Sequence, residues 1–133
     1  MFLKTLSDEE GELFLELLAF GLKRHGTLTK GQQGVIDSYK GELSLPDYTV
    51  HSVPYEQVAS ALLHSSKQVK RSILIELSLS FFATDYSSKE DVAWLLQFAS
   101  NIGIDQHEAE RMIQWCKDFS DFIEVAVMYI NSK

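Results

Sequence analysis

The chain has 133 residues, 45% of them hydrophobic and 23% charged, the size and balance of one folded domain that buries its own core without staples. A net charge of −7 and a pI near 5.0 argue against a nucleic-acid backbone as the main partner and against a purely electrostatic anchor on an anionic membrane. The lone cysteine, Cys116, excludes an internal disulfide and a cysteine zinc cluster, and only 7 glycines and 2 prolines leave little room for a loop-rich or β-sandwich architecture.

The first residues lack the long apolar stretch and small-residue cleavage site of a signal peptide, so the default expectation is a cytoplasmic protein. Ser7-Asp8-Glu9-Glu10 is a capping box, in which a serine and a glutamate three residues on satisfy two free donors at a helix start. Leu13, Phe14, Leu17, Leu18, Gly21 and Leu22 then recur at helical spacing on one face. Lys23, Arg24 and His25 complement the C-terminal end of that helix dipole, and Gly26 suits a left-handed cap. Thr29 and Gln32 form a second box. The helix they open has Val35, Ile36, Tyr39 and Leu43 as its apolar stripe, is weakened by Gly31 and Gly34, and is expected to end or fray at Gly41.

Residues 45–53 read as a loop around Pro46 and Asp47. Pro54 then suits the first position of a short helix whose inner face is Tyr55, Val58, Ala61 and Leu62. Ser65-Ser66 breaks that helix and caps the next. There Ile73, Leu74, Ile75, Leu77, Leu79, Phe81 and Phe82 cover most of a helical circumference, the mark of a buried helix over about 67–83. It is too short to cross a bilayer. Lys67, Lys70 and Arg71 at its start are a solvated first turn or, alternatively, a patch for an anionic partner. Glu76 is read as lying on this helix's exposed strip, the alternative being a buried carboxylate with a partner.

Ser87-Ser88-Lys89-Glu90 is a third capping box, opening a helix with Val92, Trp94, Leu95, Phe98 and Ile102 inward. Asn101-Ile102-Gly103-Ile104 predicts a Schellman ending. Asp105-Gln106-His107-Glu108 is a fourth box before Ala109, Met112, Ile113 and Cys116. A last apolar helix carries Phe122, Ile123, Val125, Ala126, Val127, Tyr129 and Ile130, and helices 106–118 and 120–131 are either separate or one bent rod. Trp94 and Trp115 are core residues unless exposed beside Phe98 or Phe119, which would mark a partner groove.

Laid without gaps, Leu13 to Leu45 echo Ser72 to Ile104: Leu18 meets Leu77, Thr29-Lys30 meets Ser88-Lys89, Val35-Ile36 meets Trp94-Leu95, and Leu43 meets Ile102. Both stretches read as a long helix, a polar turn and a capped second helix. The expected architecture is all-α: a single domain over 1–133, a bundle of about six to seven helices around a buried central helix, with two pseudo-repeated helix pairs.

Asp85, Ser87 and Glu90 offer three oxygens to a hard cation such as Ca2+ or Mg2+, against the simpler reading that the latter two only cap a helix. His107-Glu108 lacks the second histidine of a zinc protease, because Arg111 stands in its place. No glycine-rich phosphate loop and no nucleophile elbow is present in the sequence.

Ala83-Thr84-Asp85, Ser88, Glu90, Leu95-Leu96, Ala99 and Ile102-Gly103-Ile104 together resemble the tellurite-resistance TerB-like family over roughly residues 10–118. The resemblance implies an all-helical fold of two repeated helix pairs and an association with stress-response and membrane-linked systems. For some members it also implies divalent-metal binding by acidic residues, which carries over here to Asp85 and Glu90 only. Tyr86 replaces the family's glycine, and His25-Gly26 stands where the other half tends to carry Asp-Gly. The functional expectation is a non-enzymatic TerB-like module in a stress-related context. It would bind a protein partner, self-associate, or sense a ligand or divalent ion. The alternatives are an enzyme with a carboxylate and a histidine in a helical cleft and, further off, a helix-turn-helix DNA binder.

Overall fold

The computed structural model describes residues 1–83 and 89–132 and contains, among them, six helices and no strand: α1 (Asp8–Lys23), α2 (Lys30–Glu42), α3 (Tyr55–Leu62), α4 (Lys67–Ala83), α5 (Lys89–Asn101) and α6 (Gln106–Asn131). Their starts follow the caps written in the sequence. Ser7 accepts from the Glu10 N–H while the Glu10 side chain accepts from the Ser7 N–H, and Thr29 and Gln32 repeat this reciprocal pair. Ser66 caps α4 through the Val69 N–H, and Asp105 caps α6 through His107 and Glu108. Glu108 turns away from this cap to pair with Arg71. Pro54 stands at the N-cap of α3, one residue before the helical position its sequence context suggests.

Two helix ends share one geometry. At Gly103, φ is 86°, the Ile104 N–H bonds the Ala99 carbonyl and the Gly103 N–H bonds the Ser100 carbonyl, the expected Schellman closure. At the end of α2 the same two bonds run from Leu45 to Lys40 and from Ser44 to Gly41, with Ser44 at φ 59°. Gly41 therefore neither ends nor frays α2, which runs on to Glu42.

The core gathers on α1 and α4. α4 buries Val69, Ile73, Leu74, Leu77 and Phe81 and packs against α1, α5 and α6. α1 buries an unbroken run from Phe14 to Ala19 and packs against α2, α3 and α4, so the single apolar face expected for it is a correction: it is enclosed nearly all round. Gly21 lets the two helices approach, since a Cβ there would lie 2.7 Å from the ring of buried Phe81. That ring stacks on Trp94, which stacks in turn on Phe98, with centroids 5.5 and 6.1 Å apart.

α6 is one continuous helix of 26 residues, about 39 Å long at 1.5 Å per residue. Its first half seats Ala109, Ile113 and Cys116 against α4 and α5. Every residue from 121 to 130 is exposed. Among the described residues no helix is long and apolar enough to cross a membrane.

Candidate functional site

Among the described residues three carboxylates are buried, and each is held by groups distant in sequence. Glu76 is 2% exposed, which corrects its assignment to an exposed strip. The Tyr39 hydroxyl donates to its Oε2 at 2.7 Å, and the Phe2 N–H and the Met1 amine reach its Oε1 at 2.5 and 2.6 Å. Ser80 Oγ lies 2.9 Å from the Tyr39 hydroxyl, closing a small network. Burial raises the Tyr39 pKa above its ordinary value; the Ser80 contact opposes the rise, and the bond and charge of Glu76 add to it. Glu42 holds the Met1 amine from the other side, at 2.5 Å.

This network floors a groove of about 410 Å³ between α2, α4 and α6. Val35, Leu79, Ala83, Phe119 and Ile123 supply apolar wall, with Ser38 and Ser120 among them. Phe119 and Ile123 belong to the point where α6 leaves the body, so the groove opens at the root of the projecting helix. Beyond that root, Phe122, Val125, Val127, Met128, Tyr129 and Ile130 are 46–80% exposed. Trp115 is 47% exposed, stacks on Phe119 at 5.5 Å and meets the edge of Phe2, the condition under which the sequence marks a partner groove. Of the exposed residues from 121 to 130 only Asp121 and Glu124 are charged, so the surface of this half-helix is mostly apolar.

Asp91, also 2% exposed, lies 2.9 Å from His25 Nε2 and 3.4 Å from Arg24 Nη1. Arg24 also covers the Trp94 ring at 4.9 Å. The end of α1 thus supplies the arginine cation and the imidazole contact that hold a carboxylate on the first turn of α5. Glu16 is 3% exposed and accepts from the Tyr48 hydroxyl and from the N–H groups of His51 and Val53, at 2.5, 2.8 and 3.0 Å. Burial disfavours its charge, but these three donors outweigh that and hold its carboxyl below the ordinary value. Glu16 thereby fastens the 48–53 loop to α1.

Of the expected cation ligands, Asp85 and Ser87 lie outside the described residues, as does Ser88 of the third capping box, and Glu90 is exposed on α5. Among the described residues no group of three or more His, Cys, Asp or Glu side chains is placed to hold a metal. The basic start of α4 is partly neutralised: Arg71 Nε lies 2.5 Å from Glu108, and Lys67 and Lys70 line a small hollow shared with Asp105 and Glu108. Reading the sequence missed Glu16 and Asp91, and it found the last apolar helix but not the exposure of its outer half. An apolar run broken by a single glutamate was a usable signal for the first. No family model matches the chain, no curated protein matches it and no solved structure matches it.

Proposed function

We propose that this chain is a non-enzymatic, TerB-like helical module that works by docking another protein chain on the outer half of α6 and the groove at its root. The observation that carries the reading is the unbroken exposure of 121–130, eight of whose ten residues are apolar. Fully burying one side chain of the Val, Ile, Met or Phe class is worth about 1.5–3 kcal/mol, so a partner covering even half of them gains ample driving force. The net charge of −7 sets the reading against nucleic acid.

The TerB-like, duplicated architecture is supported by helix boundaries. The shift that lays Leu13 on Ser72 carries the bounds of α2 onto those of α5 and the start of α1 onto that of α4. It also carries the Ser44 cap onto the Gly103 cap, hydrogen bond for hydrogen bond. The competing enzyme reading has the His25–Asp91 contact in its favour, whereas Glu76 is held by a tyrosine and backbone nitrogen.

A photo-crosslinking residue at Val127 tests the proposal in intact cells. Adducts to protein chains from position 127, and few from the exposed Gln68 on α4, are the expected result. Equal, sparse labelling at both positions would remove the docking surface.

A further inference from the structure

Resting on that docking reading, we infer that the chain received by α6 is a second copy of this one, the two α6 helices packing antiparallel so that each tip fills the other's groove. The groove and the tip are offset along one helix. Phe119 and Ile123 wall the groove, while Met128, Tyr129 and Ile130 lie one to three turns further out, about 7–16 Å along the axis. An antiparallel two-fold pairing brings tip onto root twice over, the self-complementary contact of an isologous dimer. In-register parallel pairing would instead bring tip onto tip and root onto root.

Charge favours the same arrangement. The outer half of α6 carries only Asp121 and Glu124, both near its root. Antiparallel pairing lays the acid-bearing root of one helix beside the tip of the other, which carries no charged residue from Val125 to Asn131, whereas in-register parallel pairing brings the two acidic roots together. Surface area gives the third argument. A compact monomer of 15.1 kDa is expected to expose about 7,100 Å². This chain exposes 8005 Å². The excess of about 900 Å² is close to the ~800 Å² that each partner contributes to a standard interface.

Sedimentation of the full chain between micromolar and hundred-micromolar concentration tests the inference. A species of twice 15.1 kDa is expected. Ile130→Glu and Met128→Glu, at positions 80% and 70% exposed, are expected to weaken dimerisation at least about tenfold while leaving the helical dichroism and melting temperature of the monomer unchanged. A dimer indifferent to both substitutions overturns the proposal. A monomer at every concentration that still binds a hydrophobic dye, with binding lost in Ile130→Glu, overturns the second copy and leaves the docking surface standing. A monomer that binds no dye overturns both. Sedimentation of that monomer with anionic lipid vesicles, abolished by Ile130→Glu, would replace the second copy with a membrane surface.

Discussion

Replacing Glu16 by alanine removes the acceptor of three hydrogen bonds at once. Bonds to a charged group contribute about 1.5–3 kcal/mol each, a gross sum of about 5–9 kcal/mol. Two effects reduce it. The variant no longer buries a charge, which recovers several kcal/mol of desolvation. His51 is exposed and Tyr48 half-buried, so their freed donors can turn to water. The Val53 N–H and the methylenes of Glu16 bear most of the remaining cost, and we set the net loss at about 3 kcal/mol, within the 1–3 kcal/mol per unsatisfied buried donor plus the cavity left behind. Unfolding entropy near 2.1 cal/mol/K per residue, over 133 residues, converts this to a fall in Tm of about 10 °C.

Scanning calorimetry at pH 7 measures it, and a fall of less than about 2 °C would show that the carboxylate does not fasten the loop. Glu16→Gln, which keeps the shape but turns one acceptor into a donor, is expected to fall between the two. The pH profile supplies a second check with a definite sign. The Glu16 carboxyl titrates lower in the folded chain than its ordinary value of 4.5, so its contribution is complete above that pH and is lost as pH drops through the folded value. The gap between wild type and Glu16→Ala should therefore be widest at neutral pH and shrink in acid. A gap that widens on acidification would contradict the reasoning.

Ser44 holds at φ 59° a position that its counterpart fills with glycine, so Ser44→Gly is expected to stabilise by about 0.5–1 kcal/mol and Gly103→Ala to destabilise by at least as much, both read from urea midpoints. Cys116 is buried against the Ile75 carbonyl; burial first, and the Glu76 charge second, push its thiol up to about 12. It should ignore a disulfide-exchange reagent at pH 8 in the folded chain and react on addition of urea. On the docking reading neither Ca2+ nor Mg2+ raises the melting temperature at millimolar concentration. A rise abolished by Glu90→Gln would restore the cation site expected at Asp85, Ser87 and Glu90.

What could be read in advance was what the chain states locally. Capping boxes at Ser7 and Thr29 and the Schellman ending at Gly103 involve residues within one turn of each other, so spacing alone places them. Enclosure is not local. The face of Leu13, Phe14, Leu17 and Leu18 sufficed to make α1 a helix, but Leu15, Glu16 and Ala19 are buried because other helices and the 48–53 loop close over them. Glu76 fails for the same reason: its partner Tyr39 lies 37 residues away, and no periodicity announces such a pair. Asp91 was passed over beside Glu90, although the buried one of the two is the aspartate.

The strongest argument that α6 meets a partner comes from comparing the helix with itself. Its first half exposes Gln106, His107, Glu110, Arg111, Gln114, Lys117 and Asp118, with Trp115 the one exposed large apolar residue, and hides Ala109, Ile113 and Cys116. That is the division expected of a helix with one face on a core. Its second half keeps the same backbone regularity and loses the division: Val125, Ala126, Val127, Met128, Tyr129 and Ile130 follow one another without a polar residue. A helix end that merely projected into water would continue the polar face, since nothing in the body requires otherwise. A peptide of thirteen such residues would be marginal alone, and its helicity here is borrowed from the packed half that precedes it. The body thus holds out a preformed, rigid apolar rod beside an apolar groove. Because the rod is already ordered, a chain docking there as proposed would not have to supply the entropy cost of folding it.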